Sequence, residues 1–152
     1  MKKIAVLIAA GTGMGAESAK MLANNGFKVA IMSSSGKGET LAKKLNGIGF
    51  TGSNTKPDDI KKFIKIVLKK WGRIDVLVNS AGHGPKGKIL DISDEEWLKA
   101  IEIYFLNVVR ACRIVTPIMK KQKNGSIINI STYAVFEPEK HFPTSGVARA
   151  GL

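Results

Sequence analysis

Cysteine is almost absent from this sequence: Cys112 is the single one in 152 residues, so the chain cannot form an internal disulfide. A domain without disulfides suits a reducing compartment, and we expect a cytoplasmic protein. No apolar run approaches the ~20 residues that a membrane-spanning helix requires, so we expect no membrane partner. The basic start and the apolar run from Ile4 to Ala10 imitate a short signal peptide, but the run leads into a glycine-rich turn and not into a cleavage site.

Acidic residues are scarce, with 12 Asp and Glu against 24 Lys and Arg and a net charge of +12. An excess of positive charge is one mark of a nucleic-acid binder. The densest group of lysines, in residues 61–70, alternates with apolar residues at helical spacing. This pattern predicts the solvent-facing side of an amphipathic helix, with a phosphate-binding patch as the alternative, and we expect no nucleic-acid partner.

Strand-like and helix-like segments alternate along the chain. Ile4 to Ile8 is a continuous apolar run, as expected for a parallel strand covered on both faces. Ser93 and Glu96 form a capping box that begins a long helix, and Pro117 is expected to kink the late part of that helix. Strands are predicted at 4–8, 29–32, 48–51, 76–78 and 127–130, and helices at 16–23, 39–45, 60–71, from 93 and from about 145.

This alternation predicts an α/β fold, a Rossmann-like doubly wound parallel sheet with about five strands and with helices on both faces. The length suits one domain, so residues 1–152 are interpreted as a single dinucleotide-binding domain. In such sheets ligands bind beyond the carboxyl ends of the strands. The loops after the first, second, fourth and fifth strands therefore form the candidate site.

The first predicted strand is followed by a glycine-rich turn. Gly11, Gly13 and Ala16 fit the dinucleotide fingerprint Gly-x-Gly-x-x-Ala. Glycine lets the backbone approach a pyrophosphate, and the start of the next helix offers unpaired N–H groups and the positive end of a dipole. The alternative is a tight turn without a ligand. The residues predicted to bind the dinucleotide here are Gly11, Thr12, Gly13, Met14 and Gly15.

The second predicted strand ends in three hydroxyls and a lysine: Ser33, Ser34, Ser35 and Lys37. An acid at this place accepts hydrogen bonds from the free 2′-hydroxyl of NAD and repels the 2′-phosphate of NADP. Because no acid is present, the segment predicts a small basic pocket for that phosphate. NADP is therefore the expected cofactor, with NAD as the other choice, and an ordinary polar loop is the alternative.

Several motifs occur in the order that is found in the short-chain dehydrogenase/reductase family. Asn79-Ser80-Ala81-Gly82 resembles the family's Asn-Asn-Ala-Gly, and residues 71–78 and 125–131 are similar to the segments around it. The glycine turn resembles the family's Thr-Gly-x-x-x-Gly-x-Gly, with Ile8 and Ala9 in place of the Thr and the first Gly. The resemblance covers the whole chain and implies that Asn79, Ala81 and Gly82 also contact the cofactor.

The resemblance also implies that this chain is part of a longer protein. Family members usually continue with two more strands, a substrate loop and much of the dimer interface. We therefore expect residues 1–152 to be the N-terminal part of a longer domain whose C-terminal strands are missing, and the alternative is a naturally short protein. The full-length protein is expected to be a homo-oligomer.

The family's catalytic groups are Asn, Ser, Tyr and Lys, and all four positions are changed here. Tyr104 stands at the Asn position, Thr132 at Ser, Ser145 at Tyr and Arg149 at Lys. Thr132 keeps a hydroxyl, and Arg149 keeps a cation although it cannot relay protons. Ser145 is the serious loss, because an aliphatic hydroxyl is a far poorer acid than a phenol for a carbonyl oxygen.

Tyr104 offers a replacement for the missing phenol. In the family, the Asn side chain at this position points toward the Lys position, so the resemblance implies that a phenol at Tyr104 lies near Arg149 and can supply the missing proton. The alternative is that Tyr104 only fills the space that the family's Tyr has vacated. Tyr133 and His141 are other candidate acids.

The sequence therefore predicts an NADP-preferring oxidoreductase that transfers hydride between a nicotinamide cofactor and a small-molecule carbonyl or alcohol substrate. The rival is a protein that binds NADP without turnover, acting as a sensor or as the inactive partner of a related subunit. The changed tetrad favours the rival, whereas the glycine turn is neutral between the two.

Overall fold

Five parallel strands form one sheet in the computed structural model, which describes residues 2–152. They are β1 (Ile4–Ile8), β2 (Lys28–Ser33), β3 (Ile48–Thr51), β4 (Val76–Asn79) and β5 (Ser126–Asn129). Their spatial order is β3-β2-β1-β4-β5, so β1 lies at the centre and the winding reverses between β1 and β4. This confirms the predicted Rossmann-like sheet, whose ligand crevice lies at the point of reversal.

Helices follow the strands in alternation, as predicted. They are α1 (Gly13–Asn24), α2 (Lys37–Lys44), α3 (Pro57–Trp71), α4 (Asp94–Ile101), α5 (Asn107–Gln122) and α6 (Pro143–Ala150). The last of these begins at Pro143, two residues before Ser145, because proline is well suited to the first position of a helix. Among the described residues, no helix has both the length and the apolar character needed to cross a membrane.

The central strand β1 is buried on both faces, which explains its continuous apolar sequence. Ile4, Val6 and Ile8 pack on one face with residues of α3 and α5. Ala5 and Leu7 pack on the other face with residues of α1 and α2. Burying one large aliphatic side chain is worth about 1.5–3 kcal/mol. The two helical layers therefore fix β1, and with it the glycine turn at its end.

A carboxylate just before β4 holds the start of β1. Asp75 accepts a hydrogen bond from the backbone N–H of Ile4 at 2.8 Å and pairs with Arg73, with 2.5 Å between Nη2 and Oδ1. Burial by itself raises the pKa of Asp75, but the hydrogen bonds from Arg73 and Ile4 and the charges of Arg73 and Lys3 outweigh it. The net pKa of Asp75 therefore lies below its ordinary value. The charged carboxylate links β1 to the segment that begins β4.

The helix that the sequence predicts from Ser93 is not one regular α-helix. Its start is confirmed, because the Ser93 side chain accepts from the N–H of Glu96 and the Glu96 carboxylate accepts from the N–H of Ser93. The α-helical geometry changes at a π-helical turn, Glu102–Leu106, between α4 and α5. Pro117, where the sequence predicts a kink, lies inside the helix α5.

Candidate active site

The glycine turn lies at the carboxyl end of the central strand, where β1 leads into α1. Thr12 occupies the N-cap position of α1 but makes no side-chain hydrogen bond there, and the first turn of α1 contains no acidic residue. The N–H groups of a first helical turn have no partners within the helix, and they lie at the positive end of its dipole. The turn therefore offers the donors and the sign of charge that a phosphate group requires.

Each of the three glycines in this turn is required for its own physical reason. Gly13 has a φ of +57°, and a Cβ there would meet nothing within 4 Å, so the residue needs glycine for its conformation and borders open space. A Cβ on Gly11 would lie 2.8 Å from the Cβ of Ser33, and one on Gly15 would lie 2.8 Å from the Cα of Ala10. Gly11 and Gly15 thus permit close chain packing, whereas Gly13 leaves room for a ligand beside the backbone.

Two other residues of this region differ from what their types favour. Ala9 has a φ of +55°, a left-handed conformation that costs a residue with a Cβ about 1–2 kcal/mol. It stands where the family resemblance places a glycine. Met14, in the first turn of α1, is 67% exposed.

Of the three serines at the end of β2, one has a structural role and two are accessible to solvent. Ser33 is buried, and its hydroxyl accepts a hydrogen bond from the N–H of Gly38 at 2.8 Å. Ser34 and Ser35 are exposed and line a cavity of about 130 Å³ together with residues of the glycine turn. Lys37 is exposed at the start of α2 but is not among the residues that line this cavity.

This small cavity has no acidic residue in its lining. The acid that follows most closely in sequence, Glu39, accepts a hydrogen bond from the backbone N–H of Thr51 at 2.8 Å. Its carboxylate is thereby held toward β3. The arrangement suits an anionic group at the end of β2, because no nearby carboxylate in the lining opposes it.

A larger groove of about 780 Å³ adjoins the small cavity and extends toward the π-helical turn. The two share Ser34, Asn54 and Gly82 in their linings. Arg110 lines one wall, where its guanidinium pairs with Glu102 and donates to the backbone carbonyl of Thr55 at 3.1 Å. The groove thus lies beyond the carboxyl ends of β2, β3 and β4; the loops after β2 and β4 were predicted to form the site, and the loop after β3 was not.

The segment after β4 contributes both structural and accessible residues. Asn79 is buried, and its amide donates to the Asn129 side chain at 2.9 Å, so it ties β4 to β5. Its second hydrogen bond runs to the Cys112 sulfur at 3.6 Å, and burial raises the pKa of that thiol. Ala81 packs against the cluster formed by Ala100, Tyr104 and Ala148. Gly82 borders both cavities.

Three of the four changed catalytic positions are in direct contact. Tyr104 is 5% exposed, and its hydroxyl accepts a hydrogen bond from the N–H of Gly84 at 2.5 Å. The Arg149 guanidinium lies 4.0 Å from the centroid of the Tyr104 ring and donates to the Ser145 hydroxyl. Burial lowers the pKa of Arg149, and Tyr104 opposes part of that effect. An arginine remains charged despite such a change.

Thr132, the fourth changed position, makes a separate contact. Its hydroxyl accepts from the N–H of Ala134 at 3.4 Å, at the start of the 3₁₀ turn Tyr133–Val135. That turn packs closely on α6, since a Cβ on Gly146 would lie 2.8 Å from the carbonyl oxygen of Ala134. The other two candidate acids, Tyr133 and His141, are exposed.

Asn107 is a site residue that the sequence did not assign. It is fully buried, and its amide donates to the carbonyls of Ser80 at 2.9 Å and Ile103 at 3.2 Å, while its Oδ1 has no partner. It thereby ties the π-helical turn to the segment after β4. The signal available in the sequence was a single asparagine between apolar residues. Such a residue is expected to be buried, and a buried amide nearly always makes hydrogen bonds.

The sheet order and the turn after β1 define a Rossmann-type α/β protein. The model of the family described as short chain dehydrogenase matches residues 3–152, and the chain belongs to this family. This confirms the family resemblance that the motifs suggested. The chain therefore belongs to a group whose named relatives are oxidoreductases.

Two proteins of Staphylococcus epidermidis illustrate the relationship. The chain is 29% identical to an "uncharacterized oxidoreductase" over 99% of its own length and 67% of that protein. It is 31% identical to a 3-oxoacyl-(acyl-carrier-protein) reductase, FabG, over 87% of its own length and 57% of that protein. The chain thus spans about three fifths of the length of these curated relatives.

A solved structure has the same fold over nearly the whole chain. The actinorhodin polyketide ketoreductase, crystallised with NADPH, matches with a TM-score of 0.92 and 25% identity, over 99% of this chain and 60% of that one. A short chain dehydrogenase from Bacillus anthracis matches with a TM-score of 0.90 and 24% identity. At that identity the second match supports the fold alone.

Proposed function

We propose that this protein is an NADP-dependent oxidoreductase acting on a small-molecule carbonyl or alcohol. The observation that carries the proposal is the uncapped, acid-free first turn of α1, with Gly13 bordering open space beside the small cavity. The nicotinamide cofactor, when bound, supplies or accepts the hydride. The relatives named as reductases and the neighbour crystallised with NADPH support the same reaction class.

The same residues support NADP over NAD. Ser34 and Ser35 line the small cavity, Lys37 stands exposed nearby in sequence, and the cavity lining holds no carboxylate. A 2′-phosphate would find hydroxyl donors there, and it would meet no negative charge in the lining. The residues present therefore fit the phosphorylated cofactor, with backbone N–H groups of Gly13 and Met14 available for its pyrophosphate.

Tyr104 is the proposed proton donor. Its hydroxyl accepts from Gly84, and a phenol that accepts one hydrogen bond still has its own proton to give. The Arg149 guanidinium lies 4.0 Å from the centroid of the Tyr104 ring and so places a positive charge beside the proposed donor. Ser145, which accepts a hydrogen bond from Arg149, and Thr132 keep hydroxyls that can orient the substrate oxygen.

The rival function, NADP binding without turnover, also has an observation in its favour. Tyr104 is buried, and both its hydroxyl and that of Ser145 already accept hydrogen bonds within the protein. Such a cluster can serve packing alone, with Tyr104 filling the space of the family's missing phenol. The two functions therefore differ in whether the Tyr104 proton reaches a substrate.

Substitution of the hydroxyl separates the two functions. Tyr104→Phe keeps the packing, so it should lower turnover of a carbonyl substrate by roughly 10²–10⁴-fold, the usual contribution of one acid–base group, with little change in NADPH affinity. Ser145→Ala should have a much smaller effect. Tyr133→Phe, at the exposed second tyrosine of the chain, is the matched control.

Three outcomes are informative in this experiment. Loss of turnover in Tyr133→Phe alone would move the donor to Tyr133, and loss in Ser145→Ala alone would assign it to Ser145. Tight NADPH binding without turnover across a broad panel of carbonyl compounds would favour the rival function. The experiment is best made on the full-length protein, because the chain spans only part of its relatives.

Three further expectations belong to the proposal. Residues 1–152 are proposed to form a single dinucleotide-binding domain, the N-terminal part of a longer domain. The full-length protein is proposed to be a homo-oligomer in the cytoplasm. Its partner is a small molecule and neither nucleic acid nor membrane. Size-exclusion chromatography with light scattering tests the oligomeric state.

A further inference from the structure

Asparagine is directly followed by glycine at three places in this chain: Asn25-Gly26, Asn46-Gly47 and Asn124-Gly125. Asparagine is one of the thermally labile residue types. It loses its side-chain amide group when the backbone nitrogen of the next residue attacks the side-chain carbonyl carbon. Glycine permits this attack best, because it has no Cβ that would hinder the nitrogen or restrict the backbone. The three pairs therefore share the same chemistry, and the fold decides which of them reacts.

Two of the three pairs are held by hydrogen bonds of the nitrogen that would attack. In the first pair, the N–H of Gly26 donates to the carbonyl of Ala23 at 3.0 Å, and the Asn25 side-chain amide donates to the carbonyl of Met21 at 2.8 Å. In the second pair, the N–H of Gly47 donates to a carbonyl of α2 at 2.8 Å. These hydrogen bonds must break before the nitrogen can reach the side chain, so the fold slows the reaction at both pairs.

The third pair lies in the connection between α5 and β5, where Asn124 and Gly125 are both exposed. Within residues 2–152, no group accepts a hydrogen bond from the N–H of Gly125, and the side-chain amide of Asn124 makes no hydrogen bond. The attacking nitrogen and the side-chain carbonyl carbon are therefore both available. The ring can close at this pair without the loss of a hydrogen bond at either group.

Neighbouring groups favour the deprotonated Gly125 nitrogen, which is the form that attacks. The Gln122 side-chain amide donates to the carbonyl oxygen of Asn124 at 3.2 Å. That oxygen belongs to the same peptide group as the Gly125 nitrogen, so the bond stabilises the negative charge that the group acquires when it loses its proton. Residues 120–126 include three lysines and no acidic residue, and their positive charge acts in the same direction.

We propose that Asn124 is a site of spontaneous deamidation, at which the protein converts to an aspartyl and an isoaspartyl form. The Gly125 nitrogen bonds to Cγ of Asn124 as the Cγ–Nδ2 bond breaks, and the proton of Gly125 leaves with the amide group as ammonia. Water then opens the cyclic imide. Breaking the bond from the Gly125 nitrogen to Cγ gives aspartate, and breaking its bond to the main-chain carbonyl carbon gives isoaspartate. Water is the only co-reactant.

The conversion changes the chain at the amino end of β5. Ser126, the first residue of β5, lies two residues after Asn124 and donates its N–H to the carbonyl of Asp75 at 2.9 Å. An isoaspartyl linkage adds one main-chain carbon just before this hydrogen bond, and either product adds a negative charge. The glycine turn and the cavities of the candidate active site lie at the carboxyl ends of the strands. Deamidation therefore does not depend on the proposed oxidoreductase function.

Peptide mapping by mass spectrometry compares the three pairs within one sample. The full-length protein is incubated in mildly alkaline buffer, and the deamidated fraction at each asparagine is followed with time. Each hydrogen bond that must first break should slow the reaction by about two- to tenfold. Asn124 should therefore convert faster than Asn46 by about this factor, and faster still than Asn25, whose pair makes two such bonds. Conversion of either control at the rate of Asn124, or faster, would overturn the proposal.

The same protein unfolded in guanidinium chloride separates the effect of the fold from that of the sequence. Unfolding removes the hydrogen bonds of all three pairs, so the three rates should become similar. Folding should thus slow the reaction at Asn25 and Asn46 and leave the rate at Asn124 nearly unchanged. If unfolding accelerated Asn124 as much as the other two, the fold would protect this pair as well, and the assignment would be wrong.

Ion-exchange chromatography gives a second measurement on the intact protein. Because deamidation replaces a neutral amide by a carboxylate, an acidic form of the wild type should accumulate with time. Asn124→Gln should remove most of this form, since glutamine must close a larger ring, whereas Asn25→Gln should leave its accumulation unchanged. Both positions are exposed, and circular dichroism checks that both variants fold. Equal accumulation of the acidic form in the two variants would contradict deamidation at Asn124.

Discussion

Ala9 and Gly13 hold left-handed backbone conformations on either side of the turn that follows β1. At Gly13 the residue type agrees with the conformation, but at Ala9 it does not. The alanine methyl group packs against the apolar core, which offsets part of the conformational cost. At Ala9 the free-energy cost of the left-handed backbone is therefore opposed by the burial of the methyl group.

Replacing Ala9 by glycine tests whether the backbone strain exceeds the gain from burial. Ala9→Gly should raise the free energy of unfolding by about 0.5–1 kcal/mol, because relief of the left-handed strain exceeds the lost burial of one methyl group and the added chain entropy. Urea unfolding followed by circular dichroism measures the change. Ala23→Gly, a half-buried position inside α1, should instead lower stability by about 1 kcal/mol. Destabilisation by both substitutions would show that Ala9 is not strained.

Gly13 allows a direct test of where the cofactor binds. Gly13→Val should abolish NADPH binding, because a branched side chain would fill the open space and strain the backbone. Gly26→Val is a matched control, since Gly26 also has a positive φ, +83°, with nothing within 4 Å of its Cβ position, but precedes the opposite end of β2. Both variants should lose similar stability. Retained NADPH affinity in Gly13→Val would mean that the cofactor does not cross this turn.

The loop between β2 and α2 determines the choice of cofactor in the proposed function. NADPH should bind more tightly than NADH at one ionic strength, and Lys37→Gln should reduce only the NADPH affinity, by about tenfold or more for a lost charge-assisted hydrogen bond. Lys44→Gln, at the other end of α2, should change neither. Isothermal titration calorimetry measures the six dissociation constants, those of the two cofactors for each of the three proteins. Equal or tighter binding of NADH by the wild type would contradict the preference.

The regular elements could be predicted from the sequence because each has a local pattern. The apolar run of β1 and the helical spacing of α3 are decided within a few residues, and the capping box of Ser93 is wholly local. The π-helical turn could not be predicted in this way. Its residues, Glu102–Leu106, are ordinary helix formers, and the turn is tied to the sheet through Asn107, which bonds the distant Ser80.

In the candidate site, too, the features that depend on sequence spacing could be predicted, and those that depend on the folded arrangement could not. The glycine turn follows from spacing, and the contact of Tyr104 with Arg149 follows from the family register. The bond from Gly38 that occupies the Ser33 hydroxyl and the bond that draws Glu39 to Thr51 depend on the folded arrangement of α2 beside β3. Sequence spacing identifies residue types near a site, whereas their free hydrogen-bonding capacity is a tertiary property.

The molecule as a whole should lose stability in acid through Asp75. Its lowered pKa means that the charged carboxylate stabilises the fold above the unfolded-state pKa of about 3.9, and that this stabilisation is lost as pH falls through the lower folded-state pKa. Asp75→Asn should therefore lower the free energy of unfolding at pH 7 by about 1.5–3 kcal/mol, and the difference should shrink near pH 2–3.

A matched substitution isolates the buried carboxylate. The Asp58 side chain is 81% exposed and pairs with Lys61 across one helical turn, so Asp58→Asn should change stability by less than about 0.5 kcal/mol at either pH. Urea unfolding of both variants at the two pH values gives the comparison. A pH-independent loss in Asp75→Asn would assign the effect to packing and not to charge.

The central place of β1 in the strand order has a consequence for synthesis on the ribosome. Residues 28–33 are synthesised soon after β1 and pair with one of its edges. The other edge has no partner strand until residues 76–79 have been synthesised. At about 5–20 residues per second, the growing chain carries an open, apolar strand edge for several seconds. Unpaired edges of this kind attract other chains, so nascent copies of this protein on neighbouring ribosomes are most vulnerable to association in that interval.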